Sequence, residues 1–115
     1  FAADRNNPRV SGRYDTLSAP AMRALLTIVE AAARHRKPLS LCGEMAGRPL
    51  EAMALLGLGF RSISMAPASI GPVKSMILSL NVGPLQTWWR ERVRTGEGSL
   101  RAELKRYAEA EAVDI

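Results

Sequence analysis

Cysteine occurs once in this sequence, at Cys42, and methionine does not open it: the chain begins at Phe1. A lone cysteine cannot close an internal disulfide, so a disulfide-stapled scaffold is excluded and a reducing cytoplasm is the expected compartment. Nothing resembles a signal peptide, and no apolar run reaches membrane-spanning length, so no membrane partner is expected. Short internal repeats are also missing. What is present excludes a disordered tail, because 47% of the 115 residues are hydrophobic, enough for one packed domain. The net charge of +5 rests on 16 Lys+Arg against 11 Asp+Glu. Such a balance suits nucleic acid, but arginine also grips small phosphorylated anions bidentately, and charge alone does not choose.

The chain is organised around Leu39-Ser40-Leu41-Cys42-Gly43-Glu44-Met45-Ala46-Gly47. Leu39 and Leu41 alternate with Ser40 and Cys42, the period of a strand with two unlike faces. Gly43 and Gly47 then bound a loop, and a helical pattern follows from Pro49. Strand, glycine loop and helix make half of a βαβ unit, in which chemistry gathers where the strand ends. Cys42 stands there.

Taken in order, Asp4 to Arg9 is loop chemistry with a proline stop. Ser18 reads as an N-cap with Pro20 in the first turn, and Leu17 and Met22 form a hydrophobic staple across it. Met22, Leu25, Leu26, Val29, Ala32 and Ala33 give a helix one apolar face. Arg34, His35, Arg36 and Lys37 complement its negative end, and Pro38 stops it. A second helix is predicted from Pro49 to about Leu56, with Gly57 and Gly59 as its exit. Ser62-Ile63-Ser64-Met65 repeats the strand alternation. A third helix is predicted over Ser69–Leu80, with Pro72 in its first turn and Gly83-Pro84 as its break. Leu85–Arg94 and Ser99–Val113 read as two more helices, parted by Gly96-Glu97-Gly98. Trp88 and Trp89 point about 100° apart on the first of these, so one is expected inside and the other against a partner surface or a neighbouring chain.

Two strands joined by a crossover helix imply a parallel pair, and parallel sheets bury both faces and are rarely so narrow. Both strands would be open edges. The expectation is therefore a piece of a larger α/β barrel or sheet, in line with the start at Phe1.

Four segments carry a resemblance: Asp4-Arg5-Asn6-Asn7-Pro8-Arg9-Val10, Leu41 to Gly47, Leu55 to Phe60, and Ser62 to Met65. In that order and spacing they resemble the C-terminal, phosphoenolpyruvate-binding domain of Enzyme I of the phosphotransferase system, most of all its nitrogen-type paralogue. The resemblance implies an α/β, helix-rich C-terminal fragment, the last quarter of a TIM (β/α)8 barrel, over residues 1–115, with two short parallel strands. The rest of the barrel and the phospho-histidine domain would lie outside this segment.

The resemblance also implies the chemistry. Arg5 stands where the family grips the substrate phosphate, and Cys42 where it keeps a proton donor. Loss of the phosphoryl group from phosphoenolpyruvate leaves the enolate of pyruvate, whose methylene carbon must be protonated. An ordinary thiol, with a pKa of about 8.5, is mostly protonated at neutral pH and can act as that acid. A nucleophilic cysteine makes the opposite demand. Gly43, Glu44 and Gly47 are read as loop support, Glu44 through an orienting hydrogen bond. Further implications are an acceptor histidine on another domain, an HPr-like carrier protein, a homodimer or self-associating fragment, and Mg2+ held by ligands upstream of Phe1. The segment alone is expected to be inactive, with no metal ligand of its own.

Other readings stand beside these. A lone cysteine is often a small buried hydrophobe, and only the surrounding CGEMAG motif outweighs that here. His35 reads as a solvated helix cap. Arg48 stands where Enzyme I sequences usually carry aspartate, which costs the next helix an N-cap worth roughly 1 kcal/mol or supplies a new anion contact. Pyruvate phosphate dikinase and phosphoenolpyruvate synthase share the barrel and the cysteine. A basic helical module would bind nucleic acid through Arg90, Arg92, Arg94, Arg101, Lys105 and Arg106, but Glu91, Glu97, Glu103, Glu109 and Glu111 interleave with them. A mixed face is usually a solvated one, so nucleic acid is disfavoured.

Overall fold

A computed structural model describes residues 4, 6–10 and 13–115. Its elements run α1 (Ala19–Arg34), β1 (Ser40–Cys42), a one-turn 3-10 helix (Glu44–Gly47), α2 (Pro49–Leu58), β2 (Ser62–Ser64), α3 (Pro67–Ser79), α4 (Val82–Thr95) and α5 (Arg101–Ala110). The predicted parallel pair is present: β1 lies beside β2 with Ser40 opposite Ser62, Leu41 opposite Ile63 and Cys42 opposite Ser64. Among the described residues these are the only two strands of the sheet. No described helix is long and apolar enough to cross a membrane.

The helix α2 forms the centre. Ala52, Met53, Ala54, Leu55, Gly57 and Leu58 are all buried, so it is apolar on every side, and such a helix is stable only when fully enclosed. Helices α1, α3, α4 and α5 enclose it. Gly57, expected at the helix exit, is instead interior: a Cβ there would meet Cδ1 of Trp89 at 2.7 Å and Cγ of Leu85 at 3.3 Å. Its missing side chain lets α4 close on α2. The exit belongs to Gly59 alone, at φ +116°, with the N–H of Gly59 and of Phe60 returning to the Leu55 carbonyl at 3.2 and 3.1 Å.

A buried helix must also place its terminal carbonyls. Arg90 of α4 donates Nε and Nη2 to the Leu58 carbonyl at 3.1 and 2.9 Å, and Gln86 donates to that of Leu56 at 2.9 Å. Arg92 pairs with Glu103 at 2.7 Å and Arg94 with Glu30 at 2.7 Å. These arginines of the supposed nucleic-acid face thus meet acceptors of their own chain.

Several boundaries differ from the sequence expectation. Helix α3 begins two residues earlier, at Pro67, which puts Pro72 inside it rather than in its first turn. Gly83-Pro84 does not break a helix; both lie in the first turn of α4, where a missing N–H is harmless, and the break is at Leu80 and Asn81. Ser18 occupies the N-cap of α1 without a side-chain cap bond, while Leu17 and Met22 are fully buried as the staple requires. His35 is the exposed C-cap of α1. Trp89 is fully buried, and the half-buried Trp88 lies on Tyr107 of α5 with ring centroids 4.4 Å apart, so the surface it meets belongs to the same chain.

Gly57→Ala tests the close approach. Helix propensity alone would favour alanine by about 1 kcal/mol, but overpacking a core costs about 1–3 kcal/mol, and Trp89 is fully buried. Denaturant unfolding is expected to show a net loss of stability; an unchanged or raised midpoint would place slack at this contact.

Candidate functional site

At the C-terminal end of β1 the chain turns through Gly43, at φ +121°, into the 3-10 turn and on to the start of α2. This backbone angle favours glycine. At the far end of the turn a Cβ on Gly47 would meet Oγ of Ser69 at 2.8 Å and its Cβ at 3.1 Å, so the loop lies flat against α3 only because Gly47 has none. Ala46 between them is buried and anchors the turn.

Cys42 ends β1 and is exposed, not a core thiol. Residues two apart on a strand share a face, so Ser40 and Cys42 form the polar face of β1, beside Ser62 and Ser64 of β2. Oγ of Ser62 donates to Oγ of Ser40 at 3.4 Å on this face. Leu41 and Ile63 turn the other way and pack against the helical core.

The thiol borders two openings. One, of about 420 Å3, is lined by Asn6, Tyr14, Thr16, Cys42, Gly43, Glu44, Met45 and Arg48. The other, of about 600 Å3, is apolar, walled by α1 through Pro20, Ala21, Ala24 and Leu25 and by Leu41 and Met45. The structure thus brings together Cys42, Gly43, Glu44 and Asn6; Gly47 lies behind, on a neighbouring cavity with Arg48 and Ser69. Arg5 lies outside the described residues. Tyr14 and Thr16 are lining residues that the sequence did not single out, since an aperiodic loop carries no pattern that marks them. The Thr16 hydroxyl is buried without a hydrogen-bond partner among the described residues. No group of three or more His, Cys, Asp or Glu among the described residues is placed to hold a metal ion.

The wall bearing Tyr14 and Thr16 is fixed from the far end of the chain. Leu17 accepts from the N–H of Leu100 at 2.9 Å, and Ala19 N–H donates to the Gly98 carbonyl at 2.7 Å. Beside this pairing Arg101 of α5 reaches Asp15 at 3.3 Å and Glu51 at 2.9 Å. Glu51 is buried in the first turn of α2, where the helix dipole favours a negative charge. Burial alone would raise the Asp15 carboxyl, but hydrogen bonds from Ser99 and the Leu17 N–H, with the Arg101 charge, hold it below its ordinary value.

A family profile described as PEP-utilising enzyme, PEP-binding domain matches residues 1–82. Over 105 residues, 91% of the chain, it is 39% identical to a protein of Salmonella typhimurium named phosphoenolpyruvate-dependent phosphotransferase system, of which it covers 14%. It is 40% identical over 81 residues, 70% of its length, to the phosphoenolpyruvate-protein phosphotransferase of Bacillus subtilis, again covering 14%. An Escherichia coli multiphosphoryl transfer protein is 41% identical over the same share, with 10% covered. The chain therefore spans about a seventh or less of the length of these relatives.

The Arg101 contacts predict an acid dependence. A carboxyl whose folded pKa is depressed contributes stability above its unfolded pKa, about 3.9 for aspartate, and loses it as pH falls through the folded value. Unfolding midpoints are expected to fall below about pH 4, and less steeply in Asp15→Asn. Arg101→Gln leaves the Glu51 carboxylate without its short partner and is expected to cost about 1–3 kcal/mol at pH 7. An Arg101→Gln chain as stable as the parent would make the contact dispensable.

Proposed function

The chain belongs to the PEP-utilising enzyme, PEP-binding domain family, and on that premise we propose that it is the C-terminal part of the barrel of a phosphoenolpyruvate-protein phosphotransferase of the nitrogen type. The observation that carries the reading is the exposed thiol of Cys42 at a parallel strand end, opening onto a cavity with the Asn6 loop and the Gly43 turn. In this reading phosphoenolpyruvate enters that cavity and Arg5 holds its phosphate with a planar fork. The P–O bond breaks as the phosphoryl group passes to a histidine on another domain, and then to a carrier protein of the HPr type. The electron pair left on the enolate oxygen returns as C=O, and the methylene carbon takes the proton of the Cys42 thiol, giving pyruvate. The thiolate regains its proton from water.

Gly43, Glu44 and Gly47 shape the loop that presents the thiol, and the polar strand face beside it admits a charged ligand. Magnesium, which would neutralise phosphate charge during transfer, belongs to this reading only through carboxylates outside the described residues. The two open strand edges belong to further barrel strands, a second copy of the chain is a partner, and the compartment is the cytoplasm. The isolated segment is inactive on this account.

The test uses the intact protein that carries this chain. Cys42→Ala is expected to abolish turnover while phosphoenolpyruvate binding persists, because the arginine holds the substrate. Arg5→Lys is expected to lower kcat/KM about ten- to a hundredfold, the worth of a charged hydrogen bond of about 1.5–3 kcal/mol. Undiminished phosphotransfer in Cys42→Ala would remove the proton-donor role, and wild-type kinetics in Arg5→Lys and Arg5→Ala would remove the phosphate clamp.

A further inference from the structure

We propose that Arg48 is an anion-binding residue of the Cys42 cavity, where it takes an oxyanion of the ligand, carboxylate or phosphate; the identity of that ligand rests on the function proposed above. Arg48 is the one cation among the described residues lining this cavity, and it also borders the adjoining cavity of about 370 Å3 lined by Gly43, Glu44, Gly47, Ala66 and Ser69. Its side chain is 62% exposed. Among the described residues its ion-pair partner is Oε1 of Glu51 at 3.9 Å, too long for a hydrogen bond. That same oxygen already receives Nη1 of Arg101 at 2.9 Å.

The position itself disfavours arginine. Arg48 is the N-cap of α2 and makes no side-chain cap bond. N-caps select side chains that accept hydrogen bonds, and a helix start repels a cation. A bound oxyanion beside Arg48 would reverse the sign of that interaction, since both the guanidinium and the helix start attract it. Five donors in a planar fork suit carboxylate and phosphate equally. Glu44, on the same rim, opposes an anion, so the cavity needs a cation to take one.

The experiment measures dissociation constants of the intact protein for pyruvate and for inorganic phosphate, together with KM and kcat for phosphoenolpyruvate, in wild type, Arg48→Gln and Arg48→Lys. Arg61→Gln, at an exposed residue of a separate cavity, is the control. Arg48→Gln is expected to weaken pyruvate or phosphate about tenfold or more and to raise KM with little change in kcat, with Arg48→Lys intermediate. The pyruvate arm reports a carboxylate contact and the phosphate arm a phosphate contact. A purely structural Arg48 would instead lower the unfolding midpoint and leave both dissociation constants alone; that result, or wild-type binding of neither anion, overturns the proposal. If phosphoenolpyruvate is not turned over but Arg48→Gln still weakens anion binding, the assigned function fails and the anion site stands. If turnover is lost in Cys42→Ala while Arg48→Gln binds as wild type does, the function stands and the anion site fails.

Discussion

Everything in this chain depends on enclosing α2. A ten-residue helix with apolar groups on all sides gains its stability from neighbours rather than from its own hydrogen bonds. Four helices supply that cover, with Trp89, Leu85, Met76, Met22 and Leu104 fully buried among them. A radius of gyration of 13.9 Å for 115 residues is near the roughly 13 Å of a compact globule of this size. The β1–β2 pair stays at the margin of this packing, with one apolar face on the core and a polar face of Ser40, Cys42, Ser62 and Ser64.

Enclosure positions the chemistry. Because α2 is packed on all sides, its first turn is a platform, and the loop from Cys42 to Gly47 joins that platform to the end of β1. Side chains from both later helices reinforce it: Arg90 closes the C-terminal end of α2, and Arg101 meets Glu51 at the other. The same Arg101, with the pairing of Leu17 and Ala19 to Leu100 and Gly98, holds the segment that carries Tyr14 and Thr16 to the cavity. All of α5 and all but the first residue of α4 thus lie beyond residues 1–82, yet their side chains bear on the site.

Much of this was legible in the sequence because the signals are local. Alternation in Leu39–Cys42 and Ser62–Met65 places both strands within a residue, and the Leu17–Met22 staple marks the start of α1 whether or not Ser18 makes its cap bond. Glycine and proline mislead where tertiary packing overrides their local preference. Gly57 looks like a helix exit until Trp89 is seen against it, and Pro84 looks like a break until α4 is seen to begin at Val82. The thiol and its glycine loop could be named from their motif. The wall bearing Tyr14 and Thr16 could not, because it is held by contacts up to 86 residues away, as in Arg101 with Asp15. Arg48 reads in the sequence as a lost cap or a new anion contact, and its place on the cavity rim is what favours the second.

In the proposed reaction Cys42 delivers a proton to carbon. Run backwards, the same step removes a methyl proton from bound pyruvate, so proton NMR of pyruvate in D2O reads it without any phosphoryl acceptor. The account predicts that the intact protein washes deuterium into the pyruvate methyl group at a rate well above buffer, and that Cys42→Ala brings that rate down to the buffer level. Exchange at the wild-type rate in Cys42→Ala would contradict it.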